Sequence, residues 1–555
     1  MKLKNIILTA FIFSGAAALI YEVAWIRPLQ FTLGSTIYTT SIIFAAFMAG
    51  LALGSFIITK FIDKIKNLVK AYALMELGIG LYGILLLSLF NLLPKIYNLI
   101  YALRENFILF EVVHFVLTFI LLLIPTTLMG GTFPVIAKFY TTEKIGKGIG
   151  EIYAANNIGA ILGSFAAGFL LIPIFGIKST IILAGIINVL IASVLLFIVA
   201  KDYAKKIVPI ALLLFLILAY FGDYNIKQMH SGGFYRTDPI VKQLGDVVYY
   251  KEGLHATITV RELTKPQAKA LFINGKGQGS TEVLDLRVNF LLSYLPLLFN
   301  PESKNALVIG LGTGTTSGQL AQFVKVKTIE IEPAILDAAR YFGVANLDIL
   351  ENPTHELIID DGRNYLLKDK EKYDIIAQEP SDPWQSFSTQ LYSKEFFELV
   401  KDHLNENGLF VKWLPIYTMS VDDFRNFYKT FSLVFLNNIA FANIKEDEDT
   451  PVKFRTSEII FIGSKNKINI DENKLRNNFE NLPSGKDYLN AIKLGSINEI
   501  LHLLLFTDRE MKNYADNAKL ITDDNSILEF STSRKVLYKT PEEIINDIEV
   551  FLKSG

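Results

Sequence analysis

The sequence predicts a multi-pass α-helical membrane domain, followed by a small β-hairpin domain and an α/β domain built on a parallel sheet. Three observations predict this fold class. Apolar runs recur through residues 1–222, strand and helix patterns alternate from residue 306 to residue 413, and the glycine-rich loop VIGLGTGTTSGQL (308–320) follows the first strand of that alternation. Strands that alternate with helices indicate a parallel sheet covered on both faces.

Charge and cysteine content exclude several classes of site. Residues 1–222 carry 16 Lys and Arg against 8 Asp and Glu, and the remainder carries 38 against 47. An acidic soluble half argues against nucleic acid as a partner, because phosphate binding needs a basic face. The chain has no cysteine, so disulfides and cysteine-bound metals are excluded. The scattered histidines predict no other metal site.

Seven apolar runs predict about seven membrane-spanning helices, since a spanning helix needs roughly 20 apolar residues. The runs lie near 5–27, 38–59, 71–93, 107–128, 152–172, 179–200 and 207–222. Two of them place glycines four residues apart, at Gly50 and Gly54 and at Gly159 and Gly163. This spacing lets helices pack closely.

Lysines between the runs indicate the cytoplasmic side, because cytoplasmic loops are rich in Lys and Arg. Lysines within 60–70, 138–147 and 201–206, together with Lys2 and Lys4, predict a cytoplasmic N-terminus. Seven complete crossings would then leave the soluble half outside. Either the run at 207–222 does not cross, or an eighth crossing is hidden, or the soluble half faces out. We expect it in the cytoplasm, where a cytosolic cofactor is within reach.

Four polar residues lie within or at the edges of apolar runs, where a charge is expensive and invites a functional interpretation. They are Glu22, Glu76, Glu111 and His114. All are near predicted helix ends, where ion pairing or extension of the side chain toward the membrane surface costs little free energy. A structural role is therefore the first expectation. A polar pocket for an amine or a lipid headgroup is the alternative.

A linker at 223–240 is expected to lead into a small β domain at 241–281, with the main α/β domain and a C-terminal extension at 282–555. Strand patterns at 247–250, 256–260 and 270–273 end in an Asn274-Gly275 turn. In the main domain the expected strands are 306–310, 326–331, 356–360, 373–378 and 408–413, and the expected helices are about 316–323, 333–342, 364–368 and 393–404.

Glycine-rich or acidic clusters follow four of these strands, at the edge where parallel-sheet domains bind ligands. They are GLGTG (310–314), EIE (330–332), DDG (360–362) and EPSDPW (379–384). Glycines let the backbone approach a ligand, and a carboxylate about 20 residues later can accept ribose hydroxyls. The loop lacks the Lys-Ser/Thr ending of a triphosphate loop, and a nicotinamide dinucleotide would not need the last acidic cluster. A Rossmann-like domain that binds S-adenosylmethionine or a derivative fits better.

Six stretches carry a family resemblance: LFINGKGQGST (271–281), LPLLFNPESKNALVIGLGTGT (295–315), IEIEPA (329–334), IIDDGRNYL (358–366), YDIIAQEPSDPW (373–384) and NGLFVKW (407–413). In order and spacing they resemble the spermidine synthase family of polyamine aminopropyltransferases. With its apolar front and its ITDDNSILEF tail (521–530), the whole chain is similar to the membrane-fused, multi-pass bacterial branch of that family.

The resemblance implies a transferase of polyamine biosynthesis that moves an aminopropyl group from decarboxylated S-adenosylmethionine to a polyamine or a related amine, without a metal. It implies that the nucleoside is bound by Gln278, Gly310, Gly312, Thr313, Gly314, Glu330, Asp361 and Gly362. It also implies catalytic roles for Glu379 and Asp382 and substrate contacts for Asp382 and Trp384. The expected partners are a small amine and the lipid bilayer; a homodimer is left open.

The chain departs from the family pattern at four places. The family's Tyr-His-Glu stretch, which lines the amine pocket, is Val288-Asn289-Phe290 here, and a proline just beyond the Asp-Pro pair is absent near Gln385-Ser386. Thr313 stands where the family has the aspartate of the glycine loop, and Glu379 stands where the family has the catalytic aspartate.

Glu379 would take the proton of the attacking amine, unless it is merely a solvated residue. Asp382 would hold the distal ammonium, and Trp384 would cover an alkyl chain or face the cation.

Because Thr313 would tolerate a carboxylate on the donor, an S-adenosylmethionine-dependent methyltransferase is the alternative. A polyamine transporter or sensor with a regulatory nucleoside site is the third class. Two further acidic stretches are less informative. Residues 445–449 are expected to form a solvated excursion, and Asp523 and Asp524 either form a turn or reach the site.

Overall fold

The computed structural model describes residues 2–141, 145–222, 245–264, 267–379, 381–385, 388–444, 456–482, 486–535 and 541–554. The expected linker at 223–240 and the expected acidic excursion at 445–449 lie outside these residues. The chain folds as two compact units, residues 1–241 with 252–254 and residues 242–251 with 255–555.

The first unit is a helical bundle. Its helices are α1 Lys2–Leu33, α2 Ile37–Phe61, α3 Leu68–Phe90, α4 Leu93–Ile100, α5 Phe107–Tyr140, α6 Ile145–Ala166, α7 Ile172–Val199 and α8 Lys201–Phe221. A π-helical turn, Ala167–Leu171, joins α6 to α7. Within the described residues, six continuous segments are long and apolar enough to span a membrane, and the longest, Ile145–Val199, contains both α6 and α7.

Contacts inside the bundle show the direction in which each helix runs. Ser14 of α1 donates to Glu76 of α3 at 2.5 Å, and Tyr21 lies where a Cβ on Gly83 would be, so α1 and α3 are parallel. Asn188 of α7 donates to Glu76 at 2.6 Å, whereas the earlier residue Gly185 faces the later residue Gly80. Helix α7 is therefore antiparallel to α3.

Helices α6 and α8 run in the same direction as α1 and α3. A Cβ on Gly159 would lie 1.8 Å from the Ile12 carbonyl oxygen, and one on Gly163 would lie 2.2 Å from that of Ala16. Since α6 and α7 run in opposite directions, the segment that contains them makes two passes. The spaced glycines thus sit at close helix contacts, in line with their expected packing role.

The lysine-rich loops gather at one end of the bundle. Lys138 at the end of α5 pairs with Asp63 at 2.7 Å, and Lys70 at the start of α3 lies 3.7 Å from the ring centroid of Tyr203 at the start of α8. The last turn of α8 reaches Ile84, further along α3, through Gly222. Helix α8 therefore starts at the lysine-rich end and finishes at the opposite end.

The polar residues of the apolar runs are mostly buried. Glu76 is inaccessible to solvent and joins α1, α3 and α7 through Ser14 and Asn188. His114 is also buried and lies 3.6 Å from Glu111. These contacts favour the structural role expected for the group.

The second unit contains two sheets. Strands β1 Asp246–Glu252, β2 Thr257–Thr264, β3 Gln267–Ile273 and β4 Lys276–Ser280 form a small sheet in that order. The larger sheet contains β5 Asn305–Ile309, β6 Lys325–Glu330, β7 His355–Ile359, β8 Tyr373–Gln378, β9 Leu404–Pro415, β10 Asn437–Ile444, β11 Thr456–Ser464 and β12 Leu504–Thr507.

The larger sheet has the order β12-β10-β11-β9-β8-β5-β6-β7. Its five strands from β9 to β7 are parallel, and β11, β10 and β12 extend it by antiparallel pairing. The helices of this unit are α9 Val283–Phe299, α10 Thr315–Leu320, α11 Ala334–Ala339, α12 Gly343–Asn346, α13 Gly362–Lys368, α14 Lys394–Asp402, α15 Val421–Val434, α16 Glu472–Glu480, α17 Lys486–Ala491, α18 Ile497–His502, α19 Ile527–Lys535 and α20 Pro541–Ser554.

The predicted fold class is confirmed. All five expected strands of the main domain coincide with parallel strands. The central strands β5 and β8 are buried on both faces, since Leu307, Val308 and Ile376 are inaccessible to solvent, whereas the edge strand β7 is partly exposed. A continuous apolar run is what a strand covered on both faces requires. The helix expected at 316–323 is shorter, because it ends at Leu320 and continues as turns.

Candidate active site

The site lies where the order of the parallel strands reverses, between β5 and β8. Ile309 of β5 is in register with Gln378 of β8, so Gly310 and Glu379 follow at the same edge. In open parallel sheets this position is the ligand crevice. The glycine loop and the acidic cluster after β8 are therefore neighbours.

The glycine loop has a backbone that only glycine adopts without strain. Gly310 has φ +93°, and a Cβ there would lie 3.0 Å from the Cβ of Glu379. Gly312 and Gly314 also have positive φ. On the other side of the loop, Thr313 lies close to the small sheet, since a Cβ on Gly279 would be 3.2 Å from Thr313 Cγ2. The loop thus runs between β4 and Glu379.

Glu330 at the end of β6 orients this loop. Its two carboxylate oxygens accept the backbone N–H groups of Leu311 and Glu332, each at 2.8 Å. Each oxygen keeps a lone pair, so a ribose hydroxyl can still bind. The neighbouring Glu332 accepts the backbone N–H groups of His255 and Ala256 at 2.7 and 3.0 Å, and so fastens the small sheet instead.

Asp361 and Gly362 follow β7. The Asp361 side chain caps α13 by accepting the Asn364 backbone N–H at 2.8 Å. A Cβ on Gly362 would lie 2.5 Å from Ile309 Cγ2, so a side chain would not fit against β5. Arg363 donates to Asp523 at 2.7 Å. Asp523 therefore reaches this edge of the sheet as the ion-pair partner of Arg363.

Glu379 is buried, with 9% of its surface exposed. Burial raises the pKa of its carboxyl to about 8, the charge of Glu330 adds to this, and a hydrogen bond with Thr316 acts against it. The alternative that Glu379 is a solvated residue is wrong. A carboxyl with a pKa near the working pH is suited to act as a general base.

Asp382 is inaccessible to solvent and has three polar neighbours. It forms an ion pair with Lys276, accepts the Tyr417 hydroxyl at 3.0 Å, and lies 3.5 Å from Gln278 Nε2. Trp384 is buried beside this cluster, with its ring centroid 5.9 Å from Lys276 Nζ. The structure therefore brings Gln278, Asp382 and Trp384 together.

Several residues at the site were not predicted. Lys276, Asp285, Trp413, Tyr417 and Glu458 line a cavity of about 150 Å³ together with Gln278 and Asn289. Lys276 lies in the LFINGKGQGST stretch, two residues before Gln278. A lysine so close to an expected ligand-binding residue is a sequence signal for a role at the site. Glu458 carries no such signal, because it lies in β11, beyond the motifs.

A buried lysine also supports the acidic cluster. Lys412 of β9 is inaccessible to solvent, donates to Gln378 Oε1 at 2.7 Å, and has a pKa well below the usual lysine range because of burial. Gln378 in turn donates to Ser381 Oγ at 3.2 Å. Tyr392 also donates to the Ser381 carbonyl oxygen. Lys412 and Tyr392 thus brace the segment between Glu379 and Asp382.

Comparison with known proteins matches two regions of the chain. Residues 287–445 match the spermine/spermidine synthase domain, and residues 6–273 match the major facilitator superfamily. A polyamine aminopropyltransferase 2 of Aquifex aeolicus (strain VF5) is 24% identical over 424 residues, which are 74% of this chain and 79% of that protein.

Over residues 287–445 the chain is similar to the spermine/spermidine synthase family. A polyamine aminopropyltransferase of Oceanobacillus iheyensis is 24% identical over 413 residues, covering 70% of this chain and 73% of that relative. The solved spermidine synthase of Thermotoga maritima is 17% identical and covers 55% of this chain and 88% of that structure, with a TM-score of 0.36.

Residues 287–445 thus carry a transferase domain of the spermine/spermidine synthase type, which follows an apolar helical region in the chain. The six apolar segments and the major facilitator match indicate that this N-terminal region is membrane-embedded.

Proposed function

We propose that this protein transfers the aminopropyl group of decarboxylated S-adenosylmethionine to a small amine. The observation that carries the proposal is the buried Glu379 carboxyl with its raised pKa, set against the glycine loop. An amine acceptor arrives protonated at neutral pH and must lose a proton before it attacks. Glu379 is the group that can take it.

The residues present fit the nucleoside of such a donor. Glu330 has free lone pairs for ribose hydroxyls, Asp361 stands at the adenine end, and Gln278 approaches from the small sheet. Thr313 replaces the aspartate that would pair with the donor's ammonium, so the donor is held by its nucleoside more than by its aminopropyl chain. The preference for the decarboxylated donor over S-adenosylmethionine is a separate part of the proposal.

The transfer step is a displacement at carbon. Glu379 accepts the proton of the acceptor ammonium, and the freed nitrogen lone pair forms a bond to the aminopropyl carbon next to the sulfonium. The carbon–sulfur bond breaks, and its electron pair goes to sulfur. Methylthioadenosine leaves as a neutral thioether. Asp382, paired with Lys276, borders the acceptor, and Trp384 covers the acceptor's chain.

The functional division of the chain is also proposed. Residues 1–222 would anchor the enzyme in the bilayer, residues 241–281 would cover the nucleoside, and residues 282–555 would carry the chemistry. A cytoplasmic soluble unit would meet the donor where it is made. Helix α8 ends opposite the lysine-rich loops, so labelling from each side of the membrane is the test of this placement. A homodimer is compatible with this division.

Product analysis tests the proposed reaction. The detergent-purified protein is incubated with a diamine and either decarboxylated S-adenosylmethionine or S-adenosylmethionine, and the nucleoside products are identified by mass spectrometry. We expect methylthioadenosine from the first donor and no S-adenosylhomocysteine from the second. Glu398→Gln, which removes an exposed carboxylate of α14, is the matched control for Glu379→Gln. S-adenosylhomocysteine as the main product would overturn the proposal.

A further inference from the structure

The cavity behind Asp382 contains an ammonium group that belongs to the protein itself. The Lys276 side chain is 10% exposed, and its Nζ pairs with Asp382. The same atom lies 5.9, 6.0 and 5.8 Å from the ring centroids of Trp384, Trp413 and Tyr417. A carboxylate inside a cage of aromatic rings is the environment in which proteins recognise ligand ammonium groups.

Two more carboxylates, Asp285 and Glu458, line this cavity, where Lys276 is the one cation among the described lining residues. Asp285, near the start of α9, accepts the Ser280 hydroxyl at 2.6 Å, and Glu458 of β11 accepts the Asn443 amide at 3.1 Å. Burial raises the pKa of both carboxyls, the charge of Asp285 adds to the rise at Glu458, and the charge of Lys276 acts against the rise at both. A cation placed between them would favour their ionised forms.

The cavity also offers an unused acceptor. Gln278 Oε1 is buried and makes no hydrogen bond within the described part of the chain, although Gln278 lines the cavity. An N–H donor on a ligand would satisfy this oxygen. At about 150 Å³ the cavity is below the roughly 300 Å³ lower bound of drug-sized pockets, so its ligand is small.

We propose that Lys276 sets the specificity for the acceptor amine. Its ammonium occupies the place on Asp382 that one substrate ammonium would otherwise take. Asp285 and Glu458 are then left to bind the distal ammonium of a short diamine. This inference rests on the proposed function, since it names the acceptor of that reaction.

The charges of the cavity explain the preference. Asp285, Asp382 and Glu458 supply three negative charges when ionised, and Lys276 neutralises one of them. A doubly charged diamine therefore balances the site, whereas a triamine brings one uncompensated charge into a buried environment. Removal of the Lys276 charge would free Asp382 and its aromatic cage for a third substrate ammonium.

Steady-state kinetics on the full-length protein test the proposal. The acceptors are butylamine, 1,4-diaminobutane and N-(3-aminopropyl)-1,4-diaminobutane, which carry one, two and three amines. For the wild type we expect kcat/KM to be highest for the diamine. Lys276→Met is expected to shift the ratio of triamine to diamine upward by about tenfold or more, the usual effect of one buried charged contact. Lys276→Arg keeps the charge and is expected to keep the diamine preference.

Glu458→Gln separates a binding role from a general loss of structure. It is expected to lower kcat/KM for the diamine about tenfold or more and to leave that of butylamine nearly unchanged, because butylamine has no distal ammonium. An unchanged ranking in Lys276→Met, or an equal loss for all three amines in Glu458→Gln, would overturn the inference. If Lys276→Met does not fold, Lys276→Arg and Glu458→Gln decide.

Failure of the proposed reaction would give a result that differs from failure of the Lys276 inference. If no amine is turned over, the proposed function fails, and calorimetric binding of the same three amines to the wild type and to Lys276→Met then measures the charge preference directly. A diamine preference that moves to the triamine in the variant supports the role of Lys276. Equal binding in both proteins contradicts it.

Discussion

If Glu379 is the base, as proposed, its protonation sets the pH dependence of the reaction. The pKa of its carboxyl is raised to about 8 by burial, and a base acts only when deprotonated, so activity rises as the pH rises through that value. We expect kcat/KM to show a rising limb with a midpoint near pH 8. Glu379→Gln is expected to remove this limb and to lower kcat by roughly 10²–10⁴-fold, whereas Glu379→Asp keeps the limb. A limb that survives in Glu379→Gln would assign the titration to another group.

We propose that Thr313 influences the choice of donor. Its side chain is buried and lies 2.8 Å from the Thr315 hydroxyl, so the glycine loop offers no carboxylate of its own. Thr313→Asp would attract the ammonium of a decarboxylated donor and repel the carboxylate of S-adenosylmethionine. We expect the ratio of kcat/KM values for the two donors to move about tenfold or more toward the decarboxylated one. An unchanged ratio would place the donor's chain elsewhere.

Residues differ in how far the sequence can predict them. Glu330, Asp361 and Glu379 were predictable because each follows a parallel strand, and strand ends meet at one edge of the sheet. That Lys276 and Glu458 line the same cavity was not predictable, because β4 and β11 belong to different sheets and no local pattern relates them. The roles of the predicted residues remain proposals until variants are measured.

At the scale of elements, the contact between α1 and α6 depends on glycine. A Cβ on Gly159 would meet the Ile12 carbonyl oxygen at 1.8 Å, whereas one on Gly150, in the same helix, would meet nothing within 4 Å. We expect Gly159→Ala to destabilise the protein by about 1–3 kcal/mol, as overpacking does. Gly150→Ala is the matched control and should be close to neutral. The measurement is thermal unfolding in detergent, and equal effects of the two substitutions would contradict the close packing.

Elements were predicted well where their apolar pattern is long. Strands β5, β8 and β9 each contain an apolar run, and the helices of the first unit cover the seven predicted runs. Strands β10, β11 and β12 were not placed, because antiparallel extension of a sheet is decided by tertiary pairing and not by local propensity. The break at Gly176 within α7, with φ +82°, likewise depends on tertiary context.

At the scale of the whole molecule, the side of the membrane that holds the soluble unit can be tested cleanly. The chain has no cysteine, so each introduced cysteine is the only thiol. Lys64→Cys lies at the lysine-rich end, Leu99→Cys follows α3 at the other end, and Val344→Cys is an exposed position of the soluble unit. The reagent is a membrane-impermeant maleimide applied to intact cells.

The proposed placement predicts the labelling pattern. Because lysine-rich loops are cytoplasmic and we propose a cytoplasmic soluble unit, we expect Leu99→Cys to react in intact cells, and Lys64→Cys and Val344→Cys to react only after permeabilisation. If Val344→Cys reacts in intact cells as Leu99→Cys does, the soluble unit faces out and the proposed placement is wrong.

The transfer of an aminopropyl group is the central claim, and the mass gained by the acceptor tests it most directly. The full-length protein is incubated with decarboxylated S-adenosylmethionine and ¹⁵N-labelled 1,4-diaminobutane, and the labelled amine is analysed by mass spectrometry. The account predicts that the diamine gains one aminopropyl group in the wild type and almost none in Glu379→Gln. A gain of a methyl group, or an unchanged diamine despite bound donor, would contradict it.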